Sequence, residues 1–215
     1  MKINKKDLIN HTIAFFGTII SIIVALQLDD WREKSELKER VEISLRSVDK
    51  EILRNQEMLQ RVTSANQMYI DILEFINDHK VKERVILYEQ NEIDNLDSEL
   101  KQKFKLNRLS NNNGKITAKV EIRFDVILSY RLQRSNWEAL KYTGYLNFTN
   151  QERIARYVNL YWLLDEFKGE YVKDFGEKLS AANSSEEMLM ILKENLDRYQ
   201  IILSYVNEFL ADKSV

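Results

Sequence analysis

The sequence predicts a mainly α-helical protein: a single N-terminal transmembrane helix continuing into a long stalk helix packed in a helical bundle, with a small β-hairpin near 84–88 and 116–126. Three observations predict it. The 215-residue chain has no proline and five glycines, where average usage would give about eleven prolines; a chain so poor in breakers sustains long helices. Residues 8–28 carry no Asp, Glu, Lys or Arg. Beyond them, apolar residues recur at alternating spacings of four and three.

The uncharged run comes first. At 1.5 Å per residue, 21 residues reach about 31 Å, one hydrocarbon thickness. Its apolar heart is 13–26, and Trp31 lies just beyond, at the depth where indole rings anchor. A cleaved signal peptide also has lysines before an apolar centre, but no small-x-small cleavage site precedes Asp29. A buried core helix is the other reading of the same run. Gly17, Ser21 and Ala25 fall on one helical face, and small residues at that spacing let two membrane helices approach closely. Lys2, Lys5 and Lys6 lie before the run, and Arg32, Lys34, Lys38, Arg40 and Arg46 after it. The positive-inside rule leans towards a cytoplasmic soluble domain, although an uncleaved apolar segment behind a basic N-terminus can also export the domain attached to it.

The seam is Val41, Leu45, Val48, Ile52, Asn55, Leu59, Val62, Asn66, Tyr69, Leu73 and Ile76. It fits a coiled coil between chains or a face packed within the chain's own bundle, and the latter is favoured because the later helices need a partner. Asn55 and Asn66 on the seam fix a register at a cost in stability. Next, 85–88 reads as a short strand and 93–106 as a polar helix. Asn111, Asn112, Asn113 and Gly114 form a turn. Strict alternation over 115–126 marks a half-buried strand, for which 85–88 or a neighbouring subunit would be the partner. The pattern Ser/Thr-x-x-Glu at Ser135, Thr149 and Ser184 opens three further helices. The first ends at Gly144. The second carries Ile154, Val158, Tyr161, Leu164, Phe167, Tyr171, Phe175 and Leu179, with Gly169 and Gly176 as weak points. The organisation expected is a transmembrane segment, 1–30, and a soluble helical-bundle domain, 31–215.

The run from Ser21 to Glu33, ending Ala25-Leu26-Gln27-Leu28-Asp29-Asp30-Trp31-Arg32-Glu33, and the stretch Trp137-Glu138-Ala139-Leu140-Lys141-Tyr142-Thr143-Gly144-Tyr145-Leu146 resemble a family of uncharacterised bacterial single-span membrane proteins, frequent in Bacteroidetes-type genomes. That family reads G-x-x-I-A-L-Q-x-x-x-W-[NR]-E and Y-E-x-L-K-x-S-G-x-L. Here Ser21 replaces the usual Gly, with Gly17 one turn earlier, Trp137 replaces Tyr and Thr143 replaces Ser. The resemblance covers about 25 residues. It implies the single-span topology and no activity.

The chemistry is narrowed by what is missing. Without cysteine there are no disulfides, thiolate metal sites or thiol nucleophiles. His11 and His79 show no zinc spacing, and no phosphate-binding glycine loop or nucleophile elbow occurs. No metal or cofactor is expected. Lys and Arg (32) balance Asp and Glu (34), so nucleic acid is not an expected partner. Arg131, Arg134 and Lys141, beside Trp137 and Tyr142, form a candidate anion or ligand patch, whose plainer reading is a solvated helix face over a core tryptophan. Arg153, Arg156, Tyr157, Tyr161 and Trp162 form a second cationic and aromatic cluster, whose aromatics at helical spacing read as core rather than as a cofactor box. The function expected is that of a non-catalytic single-pass membrane protein acting through self-association or partner binding. Its partners would be the lipid bilayer, further copies of the chain and a protein partner. The sharper version is an oligomeric, pore-type antiviral effector. The alternatives are a ligand-sensing or enzymatic helical domain tethered to the membrane, and a structural adaptor of the cell envelope.

Overall fold

The computed structural model describes residues 5–124, 128–166 and 170–212, with side chains over 14–124, 128–165 and 174–212. It is mainly α-helical with a small antiparallel sheet. Helix α1 spans Lys5–Asp78 without a break. The other elements are β1 (Lys80–Lys82), β2 (Val85–Glu89), α2 (Gln90–Asp94), α3 (Ser98–Lys103), β3 (Phe104–Asn112), β4 (Lys115–Ile122), α4 (Ser135–Tyr142), α5 (Gln151–Glu166), α6 (Glu170–Ala181) and α7 (Ser185–Ala211). The chain divides into two compact units, Met1–Asp49 with Ser135–Asn150, and Lys50–Arg134 with Gln151–Val215.

In the first unit α1 runs from its apolar segment to the start of the seam, where Val41, Leu45 and Val48 are buried. The Asn136 amide of α4 donates to the Ser47 carbonyl at 3.2 Å. Helix α4 buries Trp137 and Leu140 and gives way at Gly144, whose φ of +72° is left-handed backbone that favours glycine.

In the second unit α1, α5, α6 and α7 pack around the rest of the seam. Every seam position from Ile52 to Ile76, the two asparagines included, is buried. The seam therefore packs inside the chain's own bundle. Helix α7 runs antiparallel to α1: Gln56 bonds Asn207, Glu74 pairs with Lys193, and Lys80 pairs with Glu186. Its N-cap matches the sequence pattern, the Ser184 hydroxyl accepting from the Glu187 N–H at 3.1 Å and the Glu187 carboxylate accepting from the Asn183 N–H at 2.8 Å.

The sheet has the order β1-β2-β4-β3, all antiparallel. The expected pairing of 85–88 with 116–126 is present as Val85↔Lys119 through Glu89↔Lys115. Ile86 faces Ala118 and Tyr88 faces Ile116, all four buried against the Leu73–Leu192 side of the core. The sheet is nonetheless larger than a hairpin. Residues 93–106 are not one polar helix: two short helices, α2 and α3, give way at Phe104 to an edge strand, β3. Strands β3 and β4 join through Asn113 (φ +53°) and Gly114 (φ +83°), a two-residue turn with both centres left-handed. The alternating strand ends at Ile122, not 126; residues 125–127 lie outside the described residues.

One helix start also differs. The Thr149 hydroxyl is spent on the Tyr145 carbonyl at 3.3 Å, and α5 begins at Gln151. Of the helix expected through 179, the described residues 151–166 (α5) and 170–181 (α6) are helical, while Phe167, Gly169 and the side chain of Tyr171 lie outside the described residues.

Candidate functional site

Three features of the molecule have the form of sites. The first is the apolar segment of α1. The helix from Ala14 contains a stretch long and apolar enough to cross a membrane, and none of that stretch is buried. Phe15, Phe16, Ile20, Leu26 and Leu28 are each more than half exposed, as is Trp31 at 70%. Gly17, Ser21 and Ala25 are exposed along one face. The Ser21 hydroxyl donates to the Gly17 carbonyl at 2.8 Å, so its polar group is satisfied within the helix. A Cβ at Gly17 would meet nothing within 4 Å, so the face is open there.

The second feature is the extended connection 128–134, which has no regular secondary structure. Side chains far along the sequence hold its backbone. The Asn55 amide donates to the Gln133 carbonyl at 2.7 Å and its carbonyl accepts from the Gln133 N–H at 2.8 Å. The Leu128 carbonyl accepts from both Asn66 (2.9 Å) and Asn195 (2.8 Å), and Asn195 also donates to Asn66 at 2.8 Å. The Tyr199 hydroxyl accepts from the Tyr130 N–H at 2.8 Å and donates to the Tyr130 carbonyl at 3.3 Å. Burial pushes the Tyr199 phenol above its ordinary value of 10, against the opposing bond to Tyr130, and so keeps it neutral. These groups do for an isolated strand what a ladder partner would do. A further buried polar contact joins Tyr161, whose hydroxyl donates to the Glu51 carboxylate at 2.6 Å.

The third feature is a cavity of about 390 Å³ in the second unit. Its apolar wall includes Leu73, Ile76, Val120, Phe124 and Met188, and Glu83, Arg84, Lys119, Glu121 and Ser184 stand around it. Arg84 is left-handed, with φ +58°.

The residues singled out by sequence fall in varied settings. Arg134 pairs with Asp165 at 2.7 Å, and Lys141 pairs with Glu138 at 2.8 Å. Arg131 and Tyr142 are exposed, and Trp137 is buried. Tyr157 and Tyr161 are core residues, whereas Trp162 is 64% exposed. Arg156 pairs with Asp212 at 3.1 Å and sits over the Phe209 ring. His79 is bonded at both ring nitrogens, to the Phe75 carbonyl (2.8 Å) and the Glu92 carboxylate (3.1 Å). Burial lowers its pKa, but these two acceptors and the nearby Asp78 charge outweigh that, and the net shift is upward from 6.5. Among the described residues no group of three or more His, Asp or Glu could hold a metal ion. The asparagine clamp is foreshadowed in the sequence only by two polar residues on an apolar seam; the cavity has no sequence signal.

Scans against protein-family models, curated proteins and solved structures return no match to this chain.

Proposed function

We propose that this chain is a non-catalytic single-pass membrane protein whose apolar N-terminal helix lies in the bilayer, and which acts by self-association or by binding a protein partner. One observation carries the reading: the apolar stretch of α1 buries none of itself. A core helix hides its apolar face, and an exposed apolar patch of this size in water is an aggregation liability unless it is an interaction or membrane surface. The position of Trp31 at the end of the stretch and the resemblance of 21–33 to a single-span family support the same reading.

The sharper form is a homo-oligomer associating through Gly17, Ser21 and Ala25, with the soluble part in the cytoplasm and a pore-type antiviral role. Close approach of two helices requires small residues where the backbones meet, and the open face at Gly17 supports it. Particle mass of the full chain in detergent tests this. The expected result is a defined oligomer that Gly17→Leu shifts towards monomer; a strict wild-type monomer would remove the self-association branch and leave partner binding.

A further inference from the structure

We propose that the cavity beside the 83–84 turn binds a small amphipathic anion, a carboxylate or phosphate ester carrying an apolar chain. The cavity, at about 390 Å³, falls within the range of small-ligand sites, roughly 300–1,000 Å³. One wall is apolar, with Leu73 and Ile76 from α1, Val120 and Phe124 from the end of β4 and beyond it, and Met188 from α7. That wall gives a hydrocarbon chain a place to leave water.

The ion pairs around the cavity indicate what the other end of the ligand would meet. Both lining carboxylates are engaged: Glu83 pairs with Lys80 at 2.7 Å, and Glu121 accepts from the Asn107 amide at 2.9 Å. The two lining cations differ. Among the described residues neither Arg84 nor Lys119 has a carboxylate within ion-pair distance. The Asn107 amide is neutral, so Glu121 keeps its charge, and Lys80 is shared between Glu83 and Glu186. What the cavity offers an anion is the Arg84 guanidinium itself, a fork without an ion-pair partner that suits carboxylate or phosphate oxygens.

The backbone at Arg84 adds an independent point. A two-residue hairpin turn with φ +58° is a place for Gly, Asn or Asp. Arginine there costs backbone energy, and such strain concentrates where a side chain serves a ligand. This proposal goes beyond membrane anchoring and does not depend on it.

The test is calorimetric titration of the full chain in phosphatidylcholine nanodiscs, with empty nanodiscs as the blank. The probes are octanoate, octanol, acetate and dihexanoyl phosphatidylglycerol. Saturable binding of octanoate is expected, with octanol and acetate at least about tenfold weaker. Arg84→Gly should weaken octanoate about tenfold while leaving the melting temperature equal or higher, because glycine accepts the left-handed backbone. Met188→Trp, which fills the cavity, should abolish binding in a folded protein. Binding of octanoate alone assigns a free carboxylate, and competition by the phosphatidylglycerol assigns a lipid headgroup; either supports the site. Equal binding of octanol and octanoate, unchanged binding in folded Arg84→Gly, or saturable binding of neither anion would overturn it.

Discussion

Asn66 and Asn195 show most clearly how single residues specify this fold. Both are fully buried: each donates to the Leu128 carbonyl and Asn195 also donates to the Asn66 side-chain carbonyl, while the Asn195 side-chain carbonyl has no partner. An asparagine on an apolar seam costs desolvation that its hydrogen bonds must offset. Asn66→Leu would leave Asn195 with one bond fewer in a site without water access, and should destabilise the bundle by about 2–3 kcal/mol. Asn55→Leu should cost about 1 kcal/mol, since the Gln133 backbone it serves is at the surface and can turn to solvent. Chemical unfolding of both variants in one detergent checks the order, and a larger loss at Asn55 would contradict it. His79 supplies a pH dependence. Its pKa is raised on folding, so its contribution is fully present below the unfolded value near 6.5 and is lost as pH rises through the folded value. The stability difference between wild type and His79→Gln should thus shrink as pH rises through neutrality; a gap that widens would reverse the sign. Legibility at this scale was partial. Asn55 and Asn66 were conspicuous in the sequence, yet their partners lie 78, 62 and 129 residues away, beyond any local pattern.

At the scale of elements, the readable parts were those whose signals are local. The seam from Val41 to Ile76 is buried at every position, because spacing alone decides which face a helix hides. The Ser184 cap and the Asn113-Gly114 turn arise from hydrogen-bond chemistry and left-handed backbone within four residues. Strand β3 was illegible for the opposite reason. Only Phe104 among its nine residues is buried, so its polar pattern reads equally as a solvated helix, and pairing with β4 decides the matter. The Leu109 bulge between Arg108 and Ser110 blurs its alternation further. Two outcomes test these elements. Ser184→Ala should cost about 1 kcal/mol through loss of the α7 cap. Gly114→Val should cost more than Ser184→Ala and selectively loosen β3 in amide exchange, because a β-branched residue resists φ +83°.

The whole molecule combines two kinds of surface. The second unit hides a core of apolar residues around α1 and α7, while the apolar stretch of α1 hides none. On the proposed reading a bilayer resolves that contrast: hydrocarbon is an environment in which Phe15, Phe16, Ile20 and Leu26 would need no protein partner. The chain contains no cysteine, so single substitutions report their own surroundings without background. The most direct test places cysteine in turn at Lys6, Ser21, Ala25 and Glu33 of the full chain in sealed vesicles, and tracks labelling by a membrane-impermeant maleimide. A helix that spans the bilayer keeps positions 21 and 25 unlabelled until the vesicles are dissolved, and lets 6 and 33 label from opposite sides. Free labelling at 21 and 25, or labelling of 6 and 33 from the same side, would contradict it.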